Sequence, residues 1–195
     1  IDRSLVGSEM CIRDRSEIAV LKPGDVPDYD SRAIDNWNVA SIKMSDILLF
    51  SSIAVPGLLM FDHEIRSDYR NFYFVWAQSF FLTLGFTNFT KVLVGRPRPY
   101  LYANNASDDY KLKKDNRKSF FSGHTSVSAV SWFLMASMYE DYKPGSNISP
   151  YLWTSAFLVP AYTAYCRYDA GKHFFSDVVA GYLVGSAIGV LVPKW

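Results

Sequence analysis

Five stretches of the chain carry no Asp, Glu, Lys or Arg and are rich in apolar side chains: residues 47–61, 71–90, 119–139, 144–166 and 178–193. Polar runs separate them: "DHEIRSDYR" at 62–70, "EDYKPGSNIS" at 140–149, and a loop at 91–118 rich in Lys, Arg, Asn and Asp. Several of the apolar stretches approach the roughly 20 residues that cross a bilayer as a helix. Alternating apolar and polar runs closed by Asn-Gly turns, the signature of strands, are lacking. The pattern predicts an all-α fold without internal repeats, a multi-helix bundle of five to six helices. Buried helices of a soluble bundle produce similar windows. Their repetition, and the aromatic residues that flank them, favour a membrane bundle.

Residues 17–45 read as a polar lead-in, "KPGDVPDYD" followed by the weakly amphipathic "SRAIDNWNVASIKMSD", which suits a short interfacial helix. Residues 1–16, "IDRSLVGSEMCIRDRS", have no initiating Met, no apolar signal core and no helical stripe. They resemble translated sequencing adapter and are set aside, with the natural N-terminus and any helix preceding it expected to be missing. The helical domain is then 46–195. The 195 residues suffice for one domain, the formal net charge of +1 argues against a nucleic-acid partner, and aromatics make up 16%. A mean hydropathy of 0.00 is high for a soluble protein and low for a purely membrane one, and leaves both readings open. The two cysteines, Cys11 and Cys166, form no CxxC pair, which argues against a disulfide framework or a thiolate metal site. Cys166 is expected to be a small packed residue.

If each apolar window is one antiparallel pass, the charged residues sort by side. The second window ends at Lys91; the loop carrying Arg98 returns to a helix near His124; the fourth window ends at Cys166, with Arg167 and His173 beyond it. Lys91, Arg98, His124, Arg167 and His173 therefore share one end of the bundle, and His63 lies at the other, solvated.

Three motifs at that end carry chemistry. In "KVLVGRPRP", Lys91 offers a point charge and Arg98 a planar fork for two phosphate oxygens, with Pro99 fixing the backbone after it. A basic helix end reaching for water reads the same way. In "SFFSGHTS", Ser122 suits a helix cap, Gly123 permits close backbone approach, and the amides of a helix N-terminus suit an anion facing His124. Simple capping beside an incidental histidine is the alternative. In "CRYDAGKHFFSD", His173 and Asp177 are four apart, on one face if helical, so that Asp177 fixes the tautomer of His173 and leaves its other nitrogen as a nucleophile. A surface His–Asp pair explains that spacing as well. Asp169 and Lys172 either line the substrate entrance or face water, and the second reading is preferred. The pair lacks the further ligands that a metal site needs.

Together the motifs are far more specific than apart. They resemble the phosphatidic acid phosphatase type 2 superfamily, whose members share Lys-x6-Arg-Pro, Pro-Ser-Gly-His and Ser-Arg-x5-His-x3-Asp in this order. The resemblance covers roughly residues 46–193. Phe121 stands where proline is usual and Cys166 where serine is usual, which puts rate and specificity in question more than reaction type. The resemblance implies the helical fold shared with vanadium haloperoxidases, and hydrolysis of a lipid phosphate or diphosphate without metal or other cofactor. His173 is then the nucleophile that forms a phosphohistidine, Asp177 its orienting acid, and His124 the proton donor to the leaving oxygen. Lys91, Arg98, Arg167 and the backbone near Ser122 and Gly123 hold the phosphate.

Bacterial lipid phosphatases of the family act at the periplasmic face of the inner membrane, on substrates such as undecaprenyl diphosphate, phosphatidylglycerol phosphate or lipid A phosphates, and that location is expected here. The eight Lys or Arg residues in 91–118 oppose it under the positive-inside rule, although Asp108, Asp109 and Asp115 lie among them. Alternatives are a soluble periplasmic acid phosphatase, a haloperoxidase, and a non-catalytic lipid-binding scaffold.

Overall fold

A computed structural model describes residues 21–103 and 116–194. The 1–16 tail with Cys11, and Asp108, Asp109 and Asp115, lie outside the described residues. Among those described there is no strand. Five long helices carry the fold: α1 (Val39–Ala54), α2 (Tyr69–Val94), α3 (Gly123–Tyr142), α4 (Ser149–Asp169) and α5 (Phe175–Leu191). Short helical turns extend or join them, including Val55–Phe61 after α1 and Val192–Lys194 after α5.

α3 is the axle. Almost every side chain from Thr125 to Met138 is buried, and α1, α2, α4 and α5 all pack on it. Its sequence suits that position, because small residues let backbones approach and hydroxyls bond across helices. Ser128 meets Ser52 of α1 at 2.9 Å and Thr163 of α4 at 3.3 Å, and Ser126 meets Thr87 of α2 at 3.2 Å. The closest packing is with α5, where Gly181, Gly185 and Gly189 recur every fourth residue. A β-carbon on Gly185 would lie 2.2 Å from the carbonyl oxygen of Ser126, inside any permitted contact.

The outer surface is apolar. Phe74, Phe81 and Phe89 on α2, Phe157 and Leu158 on α4, and Leu183 on α5 are all more than half exposed. By length and composition two segments suit a membrane crossing, Val39–Phe61 and Phe175–Lys194, each with a mean hydropathy of 1.8. The all-helical expectation thus holds among the described residues, and two of the expected five to six membrane helices qualify by length and composition.

The lead-in departs from expectation. α1 begins at Val39, where the Asn38 side chain accepts from Ala40 N–H at 3.0 Å and Ser41 N–H at 3.3 Å. Charge windows miss these turns because Lys43 and Asp46 lie in them. Residues 21–38 dock on the end of the bundle, with Val26, Ala33 and Ile34 packing on Ala103 and Phe174. At the far end, Lys143 pairs with Glu64 and Tyr142 bonds Asp68 at 2.7 Å, while His63 is exposed as expected.

The α3–α5 contact yields a paired test. Gly185→Ala should cost about 1–3 kcal/mol through overpacking, read as a lower thermal midpoint in detergent. Gly85→Ala, on an exposed face of α2 with nothing within 4 Å, should be neutral or stabilising. Equal effects would contradict the packing described.

Candidate active site

The alternation of helices brings five chain segments to one end. α2 delivers Lys91 in its last turn and α3 begins at Gly123. α4 ends just beyond Arg167, and a tight loop then carries His173 to the start of α5. Gly171 makes that loop possible: its φ is +64°, and a β-carbon there would lie 2.0 Å from the Asn36 carbonyl oxygen.

His173 is 1% exposed. Its Nδ1 lies 2.8 Å from the carbonyl oxygen of Ser119. A carbonyl only accepts, so Nδ1 carries the proton and Nε2 keeps its lone pair. Burial, followed by the positive charges of Arg98, Arg167, Lys91 and His124, pushes the imidazole well below its ordinary pKa and keeps it neutral.

The expected direct bond from Asp177 to His173 is corrected. α5 starts at Phe175, so His173 precedes the helix rather than sharing its face, and the Nδ1–Oδ2 separation is 3.7 Å, too long for a hydrogen bond. The Asp177 carboxylate instead accepts from Ser119 Oγ at 2.5 Å, Phe174 N–H at 3.0 Å and Arg96 Nη1 at 2.6 Å. Asp177 thus fixes Ser119, and the carbonyl of Ser119 fixes His173.

Arg96 was not singled out by its motif, although it lies two residues before Arg98. It links Asp177 to Asp30 of the lead-in at 2.7 Å and stacks over Phe174 at 4.1 Å. Asp30 is fully buried and also accepts from Ser176 N–H at 2.9 Å and Oγ at 2.6 Å. Burial raises the cost of charge on Arg96, but its bonds to Asp30 and Asp177 prevail and raise its pKa.

Arg167 is 5% exposed, and its Nη1 donates to Ser45 Oγ at 3.2 Å. The nearest carboxylate, Asp46, stands at 3.9 Å, and the buried Nε has no hydrogen-bond partner among the described residues. Lys91 approaches the start of α3 closely: a β-carbon on Gly123 would lie 3.3 Å from its Nζ. Arg98 gives its backbone N–H to Asn116, and its charge acts on both His173 and Arg167.

His124, in the first turn of α3, bonds through Nε2 to Asp46 Oδ1 of α1 at 2.9 Å. Sequence reasoning missed Asp46; its one signal was a lone acid in the first half of an otherwise apolar helix. The expected role of Ser122 is corrected in part. Its hydroxyl caps α3, accepting from Thr125 N–H at 3.4 Å, and its own N–H donates to the Asp177 carbonyl oxygen at 3.0 Å. That amide is therefore occupied, while Gly123 heads the helix, where N–H groups lack intrahelical acceptors.

Lys172 does not face water, and Asp169 is partly buried. Asp169 accepts from Asn38 Nδ2 at 2.8 Å and Ser41 Oγ at 2.5 Å, which ties α4 to α1. Lys172 is 6% exposed, with Nζ 4.9 Å from the Trp37 ring centre and 4.6 Å from that of Tyr100. Phe121 fills its place by packing on Phe86, and Cys166 is 1% exposed, the packed residue expected. Among the described residues no three His, Cys, Asp or Glu side chains converge as metal ligands.

Residues 72–195 match the family described as the PAP2 superfamily. A Dictyostelium discoideum PA-phosphatase related-family protein is 31% identical over 156 residues, covering 75% of this chain and 58% of the relative. Phospholipid phosphatase 1 of Rattus norvegicus is 29% identical over 129 residues, covering 54% of this chain and 45% of the relative. The Mus musculus protein of the same name is 30% identical over 132 residues, covering 56% and 46%. The chain spans about half the length of the curated relatives it matches. No solved structure matches it.

Removing one partner of a buried ion pair strands the other. Arg96→Met leaves Asp30 and Asp177 without their counter-charge and should cost about 3–5 kcal/mol, read from thermal unfolding in detergent. An unchanged midpoint would contradict the network.

Proposed function

The chain belongs to the PAP2 superfamily, and from that premise we propose that it is a phosphatase hydrolysing a lipid phosphate or diphosphate monoester through a phosphohistidine. The observation that carries the reading is Arg167, a buried guanidinium with no carboxylate at hydrogen-bond distance. Burying an uncompensated charge costs several kcal/mol, and the charge of Arg98 nearby raises that cost. A phosphate supplies the missing negative charge, and its oxygens suit the arginine fork.

In the first half-reaction the Nε2 lone pair of His173 attacks phosphorus. The P–O bond to the leaving group breaks with its electron pair on oxygen, and His124 gives that oxygen a proton. Water then attacks the phosphohistidine, His124 takes a proton from it, and the P–N bond breaks with its pair returning to Nε2. Lys91, Arg98 and Arg167, with the amide of Gly123, hold the non-bridging oxygens. Fixed cations of this kind provide the charge stabilisation that the phosphoryl group needs without a metal ion. Ser119, itself bonded to Asp177, keeps His173 in the reactive tautomer.

Two features support a lipid substrate: the apolar outer surface, and the names of the two rodent relatives, which are phospholipid phosphatases. We assign the protein to a membrane with the pocket near headgroup depth. The reported relatives come from a slime mould and rodents, so they give no support to the bacterial inner membrane and periplasmic orientation expected from the sequence.

Phosphate release from a panel of lipid phosphates should be EDTA-resistant and vanadate-inhibited, and His173→Ala should abolish it. A His173→Ala protein with undiminished release would sink the assignment. Absence of turnover on every substrate by the wild type would favour a lipid-binding scaffold.

The neutral imidazole of His173 sets the pH response. Protonation removes the nucleophile, and a lowered pKa postpones protonation to lower pH, so the acid limb of kcat/KM should lie below the ordinary value of 6.5. A limb centred above 6.5 would contradict the neutral, cation-surrounded ring.

A further inference from the structure

Asp46 has no part in the three motifs, yet among the described residues it is the hydrogen-bond partner of the His124 ring. It belongs to α1, a different helix from those that carry Lys91, His124 and Arg167, and lies outside the 72–195 segment that matches the family. An acid in this position needs explanation, because it puts negative charge into a pocket whose proposed task is to collect an anion. Its carboxylate stands 3.9 Å from Arg167, the cation that most needs a phosphate. Mere neutralisation of Arg167 would favour a closer, forked pairing. The closer partner is His124, at 2.9 Å.

We infer that Asp46 is the positioning residue for His124, directing which ring nitrogen exchanges a proton with the leaving oxygen and with the attacking water. This rests on the phosphatase reading above. With Nε2–H donating to Asp46, Nδ1 is the nitrogen that serves the substrate. In the first half-reaction Nδ1–H protonates the leaving alkoxide as the P–O bond breaks. His124 is then neutral, still carrying its proton on Nε2 because Asp46 accepts it, and the lone pair sits on Nδ1. That tautomer accepts the proton of the water that cleaves the P–N bond. One carboxylate thus readies the same nitrogen for both half-reactions. With a 49% exposed side chain, Asp46 can follow the small movements of the ring that such an exchange requires.

A proton donor matters in proportion to how poorly the leaving group departs. An alkoxide from a lipid phosphate needs the proton, whereas p-nitrophenolate leaves without it. The test compares wild type, Asp46→Asn and Asp46→Glu in detergent, on short-chain phosphatidate and on p-nitrophenyl phosphate, with inorganic phosphate as competitive inhibitor. Asp46→Asn should lower kcat/KM on phosphatidate about 100-fold, within the range of general acid–base effects. The loss on p-nitrophenyl phosphate should be less than about tenfold, and Asp46→Glu should recover part of the phosphatidate activity. The inhibition constant of inorganic phosphate should stay the same or fall, since an anion has been removed from among cations. Equal losses on both esters would mark a structural role and overturn the inference, as would undiminished phosphatidate hydrolysis or weaker phosphate binding. A wild type inert toward both esters would overturn the phosphatase reading and this inference with it. An active wild type without the split overturns this inference alone.

Discussion

A fully buried carboxylate must be satisfied on all sides, and the architecture of this end of the protein follows from how Asp177 meets that demand. Its oxygens accept from Arg96, Ser119 and the Phe174 amide, and its backbone carbonyl accepts from Ser122. Each bond fixes a different segment: the turn after α2, the strand of chain before α3, the start of α5, and the cap of α3. Arg96 in turn requires a second counter-charge, which Asp30 supplies. That requirement draws the lead-in over the end of the bundle, where its few apolar residues find Phe174 and Ala103. At its two ends Leu21 and Trp37 pack on Tyr100 and Leu101. The ion pair sets its position and the apolar contacts exclude water from it.

The charges at this end fall into two layers with opposite accounts. In the inner layer one arginine faces two aspartates, whose remaining lone pairs accept from hydroxyls and amides, so the layer keeps an excess of negative charge and does not attract an anion. In the outer layer Arg167 is buried with its nearest carboxylate at 3.9 Å, and Lys91 and Arg98 add to its field. His173 sits between the layers. From the inner one it receives geometry, through Ser119; from the outer one it receives a field that disfavours its protonated form. A nucleophile needs both, a lone pair aimed consistently and a ring that stays neutral. Phosphate binding would relax the field as it fills the outer layer, which suits a ring that becomes positively charged once phosphorylated.

The helices and the one-sided placement of the motif residues were legible in the sequence because they depend on local quantities: runs without charge, and the direction of each pass. Lys91, His124, Arg167 and His173 follow from that alternation. What escaped depends on distant partners. Nothing in "PDYD" distinguishes Asp30 from Asp28, yet one is buried against Arg96 and the other is exposed. Asp169 and Lys172 look solvated in a charged loop, and only the returning segment shows otherwise, with Asn38 and Ser41 engaging Asp169 and Trp37 covering Lys172. The four-residue spacing of His173 and Asp177 suggested one helical face. The helix begins two residues too late for that, and the carboxylate is spent on the helix start itself, reaching back to Phe174 N–H. The glycine row of α5 was open to a reading at period four but tells nothing of its partner until α3 is laid against it.

The two histidines differ in how an acid reaches them, and the difference matches the work proposed for each. His173 is wholly buried and bonds through Nδ1 to the Ser119 carbonyl rather than to Asp177, whose carboxylate stands 3.7 Å away, so its orientation and the proton on Nδ1 are set by backbone. A nucleophile whose position and tautomer must not change between turnovers is well served by that arrangement. His124 is partly exposed and bonds directly to a carboxylate that is itself half exposed. Its ring must give up a proton, take one back and communicate with water, and a direct bond to a hydrated acid permits the small reorientations that these steps demand. Had the partners been exchanged, with a mobile acid on the nucleophile and a buried relay on the proton carrier, the first would wander and the second would be sealed from its water. The distribution of burial between the two rings is thus as much a part of the site as the residues themselves.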